Sequence, residues 1–210
     1  QQLYDIEGSD KMQILKMLTR LRQLCLEPRL VYDNIDQPSS KLKACMELIK
    51  TMQENKQKVL LFSSFTSALD LIAEECQKAG ITYYMLTGST NKEERRELVS
   101  RFQKDDTTLF LISLKAGGTG LNLTSSDLVL HFDPWWNPAI EDQATDRAHR
   151  IGQQNIVEVI KLIAKDSVEE NIIRLQEDKR ELINKVISGE EIGSNVIGKL
   201  SRDEIIDLFS

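Results

Sequence analysis

The residues best suited to chemistry lie in one segment, Asp142-Gln-Ala-Thr-Asp-Arg-Ala-His-Arg-Ile-Gly-Gln153. Arg147 and Arg150 stand three positions apart, so on a helix their guanidinium groups project from the same face. Such a pair can bind a polyphosphate and neutralise the charge that develops during phosphoryl transfer. The same spacing also suits salt bridges on a solvated face, and spacing alone does not decide between the two. The candidate partners for those salt bridges are Glu141, Asp142 and Asp146.

A glycine-rich segment, Lys115-Ala-Gly-Gly-Thr-Gly-Leu-Asn-Leu123, precedes the arginines and follows an apolar run that ends at Ser113-Leu114. Its closely spaced glycines allow the backbone to approach a ligand and to present N–H groups to phosphate oxygens. A glycine-rich turn between a strand and a helix is equally typical of a structural connection. Both interpretations stay open at this point.

Two adjacent tryptophans lie between these segments, in the run Leu128-Val-Leu-His-Phe-Asp-Pro-Trp-Trp-Asn-Pro138. They follow a predicted strand, and in open α/β sheets ligands bind beyond the carboxyl ends of the strands. Tryptophans at such a place are typical of packing against the core or of stacking on nucleic acid. Asp133 has the position of a magnesium-binding carboxylate, but no phosphate-binding loop precedes it. We therefore expect Asp133 to have a turn or interface role.

No other segment predicts a metal or phosphate site. Gly193-Ser-Asn-Val-Ile-Gly-Lys-Leu200 departs from the phosphate-binding loop pattern at its last residue, and no apolar strand precedes it. Cys25, Cys45 and Cys76 are widely spaced and form no Cys-x-x-Cys pair. This spacing predicts reduced thiols in a cytoplasm and no metal site.

These segments lie in a region where short apolar runs alternate with helical patterns. The apolar runs are Lys58–Phe65, Ile81–Leu86, Thr108–Leu114, Leu128–Asp133 and Val157–Ala164. The helical patterns between them cover Ser67–Ala79, Lys92–Gln103 and Ala139–His149. Strands separated by helices of this length form βαβ units, so the pattern predicts an α/β fold with a parallel sheet. Thr90-x-x-Glu93 predicts a capping box, and Asn137-Pro138 predicts another helix start.

Helices are predicted at both ends of this α/β region. Lys11–Leu26 carries an apolar stripe, and Ser167–Ile187 shows heptad-like spacing after a Ser-x-x-Glu start. The chain therefore divides into a helical lead-in and linker (residues 1–37), an α/β domain (38–165) and a C-terminal brace helix with a tail (166–210).

Composition limits the classes of function. A net charge of −6 and a pI near 5.1 argue against a free-standing nucleic-acid-binding module, which usually carries a basic excess. They are compatible with a lobe that contacts a few phosphates while a partner lobe supplies more. No apolar run approaches the roughly 20 residues that a membrane span needs, so no membrane association is expected.

The order of the motifs resembles the Swi/Snf-type family of helicase superfamily two, most closely its bacterial members. Gln143–Gln153 resembles motif six of that family, Ser113–Leu123 resembles motif five, and Asp133–Pro138 resembles the segment that joins them. Earlier in the chain, Val59–Thr66 resembles motif four and Leu86–Thr90 resembles the strand end that follows it. Leu21–Leu30 resembles the helix that leads into the lobe. One small departure is Ser89, where the family often has His. The resemblance covers nearly the whole chain.

This resemblance implies a RecA-like lobe, the second motor lobe of an ATP-driven translocase on double-stranded DNA. Arg147 and Arg150 would reach the triphosphate, with Arg150 as the arginine finger, and Gly118, Gly120 and Gln143 would serve the nucleotide or the lobe interface. The implied DNA-binding residues are Phe65, Thr66, Ser113, Lys115, Thr119, Asn122 and Trp136. ATP and Mg²⁺ would be bound mainly by a preceding lobe that this sequence lacks, so the isolated fragment should be inactive.

The implied partners are double-stranded DNA, the N-terminal RecA-like lobe of the same polypeptide, and DNA-bound proteins such as RNA polymerase. The implied location is the cytoplasm, with the nucleoid in a bacterium. Two alternatives remain. One is a lobe of a strand-separating DNA or RNA helicase, although DEAD-box RNA helicases have a further arginine in motif six. The other is a non-catalytic α/β interaction domain in which the arginines are structural.

Overall fold

A five-stranded parallel sheet forms the centre of the computed structural model, which describes residues 8–117, 123–146 and 157–187. Its strands are β1 (Val59–Ser63), β2 (Tyr83–Leu86), β3 (Leu109–Ser113), β4 (Leu128–His131) and β5 (Glu158–Lys161). The strand order is β2-β3-β1-β4-β5, and every neighbouring pair is parallel. The predicted parallel α/β sheet is confirmed.

Helices cover both faces of this sheet. They are α1 (Gly8–Leu26), α2 (Ser40–Glu54), α3 (Thr66–Ala79), α4 (Lys92–Lys104), α5 (Leu114–Gly117), α6 (Pro138–Thr145) and α7 (Val168–Ile187), with a 3₁₀ turn at Pro28–Leu30. The three inner strands are buried at every position, whereas the edge strands β2 and β5 are mostly half-buried or exposed. Burial on both faces explains why the inner strands are continuous apolar runs instead of alternating ones.

Alternate residues of the inner strands build two separate cores. Leu61, Leu111 and Leu130 point to the layer formed with α2 and α3. Leu60, Phe62, Phe110, Ile112 and Val129 point to the opposite layer, which includes Phe102 of α4 and Ala144 of α6. The period of two along each strand therefore distributes apolar side chains between the two helical layers.

The strands end earlier than the sequence predicts. β1 was expected to reach Phe65 and β4 to reach Asp133, but they end at Ser63 and His131. The amide of Ser64 donates a hydrogen bond to Asp133 Oδ1 at 2.9 Å instead of continuing the ladder. The two chain segments leave the sheet here because they bond to each other through side chains.

One predicted helix cap is wrong and another is confirmed. Asn91, not Thr90, caps α4, because its side chain accepts hydrogen bonds from the amides of Glu93 and Glu94. Thr90 Oγ1 instead accepts from the amide of Thr87, so the predicted capping box is wrong. The cap at Asn137 is confirmed by its bond from the amide of Ala139.

Helix α6 is shorter than the predicted Ala139–His149. It ends at Thr145, where the amide of Asp146 bonds to the carbonyl groups of Asp142 and Ala144 and tightens the last turn. Residues 147–149 lie outside the described residues. A helix that carries both arginines on one face is therefore not part of the described structure.

The two terminal helices pack against each other. Leu18 of α1 lies against Ile172 and Leu175 of α7, and Trp136 packs onto the same cluster. A buried ion pair, Lys41 Nζ to Glu169 Oε2 at 2.6 Å, joins α2 to α7. Both helical additions thus meet the loop after β4, while the division at residues 37 and 165 stays a prediction.

The described residues contain no helix long and apolar enough to cross a membrane. Cys25, Cys45 and Cys76 are free thiols, as the sequence predicts. Burial raises the pKa of the Cys76 thiol to about 12 and raises that of Cys45 as well, so these two cysteines are inert core residues.

Candidate functional site

The carboxyl ends of three adjacent strands bring the predicted motifs to one edge of the sheet. β1 lies between β3 and β4, and Ser63 is level with Ser113 while Phe62 is level with His131. The segments that follow these strands are therefore neighbours in space. Phe65, Thr66, Ser113, Lys115 and Trp136, all predicted to contact DNA, lie at this edge.

These five side chains differ in how much surface they offer. Thr66 and Lys115 are exposed, and Phe65 and Trp136 are half-buried. Ser113 is only 4% exposed, so it presents almost no surface to a ligand in this conformation. Gln143, predicted to serve the nucleotide or the lobe interface, is exposed on α6. The roles of all these residues on DNA and at the interface stay predictions.

The remaining predicted site residues lie outside the described residues. These are Gly118, Thr119, Gly120, Asn122, Arg147 and Arg150. Their contacts with nucleotide and DNA stay predictions.

A buried ion pair organises the edge. Asp133 is 3% exposed, and its carboxylate accepts hydrogen bonds from Ser63 Oγ (2.6 Å), the Ser64 amide (2.9 Å) and Ser64 Oγ. Arg22 of α1 donates through Nη2 to Asp133 Oδ2 at 2.9 Å, to Ser64 Oγ at 2.8 Å and to the Pro134 carbonyl at 3.2 Å. Asp133 thus has a structural role in the turn after β4, where it joins α1, β1 and β4.

Aromatic rings surround the Arg22 guanidinium. Its central carbon lies 4.9 Å from the ring centroid of Phe65, 5.0 Å from Trp135 and 5.3 Å from Trp136. Burial lowers the pKa of Arg22, although the neighbouring Asp133 carboxylate opposes that shift. An arginine remains charged under these conditions, so each ring receives a cation–π contact.

Sequence reasoning missed Arg22. A signal for it was present, because Arg22 follows Leu18 by four positions and therefore shares the buried stripe of α1. A cation on the apolar face of a helix predicts a buried acceptor. The acceptor itself, 111 positions away, could not be identified from helical spacing.

A second buried network holds the tryptophan loop from the other side. Glu141 is 1% exposed, and its carboxylate accepts from the Trp135 amide at 2.5 Å, from Gln176 Nε2 at 2.8 Å and from Lys161 Nζ. Gln176 also donates to the Trp135 carbonyl. Glu141 is therefore part of a buried network that includes α7. It does not lie on a solvated face, where the sequence alone allowed it to form a salt bridge with the arginines.

His131 is a structural residue. It is 1% exposed, stacks on Phe62 with ring centroids 5.6 Å apart, and its Nε2 lies 3.1 Å from Thr145 Oγ1. Burial lowers its pKa, which favours the neutral ring at pH 7. This contact connects the end of β4 to the end of α6, just before the arginine segment.

The start of the glycine-rich segment is held close to the sheet. Arg95 of α4 donates to the Ala116 carbonyl at 3.1 Å. A Cβ atom built on Gly117 would lie 2.9 Å from Cε1 of Phe62, a ring in the core. Only glycine allows the backbone to approach Phe62 this closely.

Replacing Gly117 with alanine is expected to lower the free energy of unfolding by about 1–3 kcal/mol, the usual cost of overpacking a core. Alanine has a higher helix propensity than glycine by at most about 1 kcal/mol, and only part of this gain is expected in the single turn of α5. The Gly88→Ala variant is the matched control, since no atom lies within 4 Å of its added Cβ. Urea unfolding measures both, and equal stabilities for the two variants would contradict the close packing of Gly117.

The described residues contain no group of three or more His, Cys, Asp or Glu side chains that could hold a metal ion. Asp133, the carboxylate at the end of β4, is occupied by Arg22, Ser63 and Ser64. The hydrogen bonds that Asp133 already accepts leave it unavailable as a metal ligand in the described part of the edge.

Comparisons with family models, curated proteins and solved structures agree on one family for this chain. A model of the helicase conserved C-terminal domain matches residues 40–152. The putative ATP-dependent helicase/translocase YwqA of Bacillus subtilis is 40% identical over 204 residues, which cover 94% of this chain and 22% of that protein. The chain spans about one fifth of the length of the curated relatives it matches.

Solved structures extend the likeness to three dimensions. The C-terminal domain of the Sulfolobus solfataricus SWI2/SNF2 ATPase matches with a TM-score of 0.71 and 30% identity, covering 98% of this chain and 81% of that domain. The core of the same ATPase in complex with double-stranded DNA matches with a TM-score of 0.73 and 33% identity, covering 97% of this chain and 43% of that one. The expected RecA-like lobe is confirmed.

Proposed function

This chain belongs to the helicase conserved C-terminal domain family, in the group related to the SWI2/SNF2 ATPases, and we propose that it is the second motor lobe of an ATP-dependent translocase on double-stranded DNA. In this proposal the lobe closes over a nucleotide held by a preceding lobe of the same polypeptide. It supplies Arg147 and Arg150 to the triphosphate and moves along DNA through contacts with the phosphate backbone.

The observation that carries the proposal is the meeting of three motif segments at one edge of the sheet. Exposed Thr66 and Lys115 and half-buried Phe65 and Trp136 provide a hydroxyl, a cation and two aromatic faces there. Such groups contact phosphates and sugars without reading base sequence, which is what movement along DNA requires. Two similarities add support: a relative is named a translocase, and another was solved with double-stranded DNA.

ATP is the proposed substrate, and Mg²⁺ its proposed companion, on the preceding lobe. The described residues of this chain do not fit a metal site, since the one carboxylate at the end of β4 is fully engaged by protein donors. The role assigned to this lobe is therefore electrostatic. Arginines neutralise charge on the triphosphate as the two lobes close.

The proposed partners follow from the same role. They are double-stranded DNA, the N-terminal lobe, and proteins that block DNA, such as RNA polymerase. We place the protein in the cytoplasm, with the nucleoid in a bacterium. The sequence-independent contacts described above suit a motor that displaces bound proteins without separating the strands.

The test is ATP hydrolysis by the full-length protein, with and without duplex DNA, beside hydrolysis by the isolated chain. Stimulation of the full-length protein by blunt duplex and no turnover by the isolated chain are the expected results. Turnover by the isolated chain would contradict its assignment as a second lobe. Stimulation by single strands with unwinding of a forked duplex would favour a strand-separating helicase, and no hydrolysis at all would favour an interaction domain.

A further inference from the structure

We propose that Arg22 is a positioning residue that fixes the two aromatic loops of the lobe in the arrangement that engages DNA; this inference rests on the proposed function. The loops are the Ser64–Thr66 segment after β1 and the Asp133–Trp136 segment after β4. Arg22 itself is 4% exposed and does not reach the surface. It acts on DNA only through the residues that it holds.

A single nitrogen of Arg22 connects elements that are distant in sequence. Nη2 donates to Ser64, 42 positions away, and to Asp133 and Pro134, 111 and 112 positions away. The first acceptor belongs to the loop after β1, and the other two belong to the loop after β4. The two loops also bond directly to each other through Asp133, and Arg22 ties both of them to α1.

Three aromatic rings lie around the guanidinium of Arg22. Phe65, Trp135 and Trp136 all place their centroids within 5.3 Å of its central carbon. Phe65 and Trp136 are half-buried, so each keeps an exposed part for a ligand. Lysine would keep a positive charge but lose the broad guanidinium that these three rings contact, so the exchange is not conservative at this site.

Arg22 is not required to satisfy Asp133. That carboxylate also accepts from Ser63 Oγ, the Ser64 amide and Ser64 Oγ. Arg22 Nε, in turn, is buried without a hydrogen-bond partner in the described part of the chain. A buried donor left without a partner costs stability. Stability alone therefore does not account for arginine at this position, whereas the placement of three rings does.

The tryptophan loop is held against α7 as well. Gln176 donates to the Trp135 carbonyl, and Trp136 packs on Leu18, Ile172 and Leu175. Arg22 thus acts on a loop whose backbone is already anchored on the side of α7. Exchange of Arg22 for lysine keeps a cation beside Asp133, so it should leave the fold intact and change only the positions of the rings on the side of α1.

The experiment compares the Arg22→Lys variant of the full-length protein with wild type and with Arg20→Lys. Arg20 is exposed on the same helix, two positions away, and is the matched control. Hydrolysis without DNA, the duplex concentration for half-maximal stimulation, and the melting temperature are measured for all three. Binding of a labelled blunt duplex without ATP is measured as well.

For Arg22→Lys we expect unchanged melting and basal hydrolysis, with a rise of about tenfold or more in the duplex concentration for half-maximal stimulation, because small misplacements of contact groups have large effects. Duplex binding should weaken in parallel. Values equal to wild type and Arg20→Lys would overturn the inference. So would equal losses of melting temperature, basal hydrolysis and duplex response, which mark a purely structural residue. Absence of stimulation in wild type would instead overturn the proposed function.

Discussion

Replacing Arg150 with alanine in the full-length protein is expected to lower DNA-stimulated ATP hydrolysis by about 10³–10⁵-fold, the range that arginine fingers contribute. The guanidinium would neutralise charge that develops on the transferred phosphoryl group. Steady-state hydrolysis at saturating duplex measures the effect. Melting temperature and duplex binding should stay close to those of wild type, because the side chain acts on the nucleotide.

Two further variants sharpen this prediction. Arg96→Ala removes an exposed arginine of α4 and should leave hydrolysis unchanged. Arg147→Ala tests the assignment within the pair, since both arginines are predicted to reach the triphosphate. A larger loss for Arg147→Ala would transfer the role of arginine finger to Arg147. Normal hydrolysis in both variants would contradict the motor function and favour an interaction domain with structural arginines.

The Lys41→Met variant is expected to lose about 3–5 kcal/mol of unfolding free energy at pH 7, as is typical when one partner of a buried ion pair is removed. Lys41 Nζ bonds to both oxygens of Glu169 at 2.6 Å and lies 5.6 Å from the Phe132 ring centroid. Glu169 is 0% exposed, so the variant leaves a buried carboxylate without its cation. Urea unfolding of the chain measures the loss, with exposed Lys43→Met as the control.

The loss should depend on pH with a definite sign. Burial raises the pKa of Glu169 despite the opposing effect of Lys41, and removal of Lys41 raises it further. A pKa that is raised in the folded state favours folding below the unfolded value of about 4.3 and disfavours it as pH rises through the folded value. The Lys41→Met variant should therefore be closer to wild type at pH 5 than at pH 7.

Replacing both partners, Lys41→Met with Glu169→Leu, should recover most of the stability, because two apolar side chains need no compensation for lost hydration. The Ala164 amide, which donates to Glu169 at 2.7 Å, would lose its acceptor and limit the recovery. A double variant as unstable as Lys41→Met would contradict this account. It would show that the pair contributes more than its own desolvation costs.

The sequence by itself determined the sheet and the edge of it to which the motif segments belong. Inner strands that are covered on both faces must be continuously apolar, and the helices between them require parallel pairing. Parallel strands end at a common edge, so the residues after β1, β3 and β4 had to lie at that edge. The strand order that makes them neighbours is seen only in the structure. The order of the motifs also identified the family. These features follow from short-range periodicity and from motif order, both of which are visible along the chain.

Local choices between competing caps were less well determined. Thr90 and Asn91 are adjacent and both suit a helix start, but Asn91 caps α4 while Thr90 bonds within the preceding turn. The end of α6 at Thr145 was likewise not encoded in apolar spacing. Such boundaries depend on hydrogen bonds that differ little in free energy, so neighbouring residues compete on nearly equal terms.

Only the tertiary structure decided how buried charges are paired. Arg22 with Asp133, Lys41 with Glu169, and Glu141 with Lys161 connect positions far apart in sequence. Periodicity shows that a side chain faces the core, but it does not show which opposite charge meets it there. That pairing depends on how α1, α2 and α7 pack on the sheet, because burial of a charge is tolerated only where a partner lies within hydrogen-bond distance.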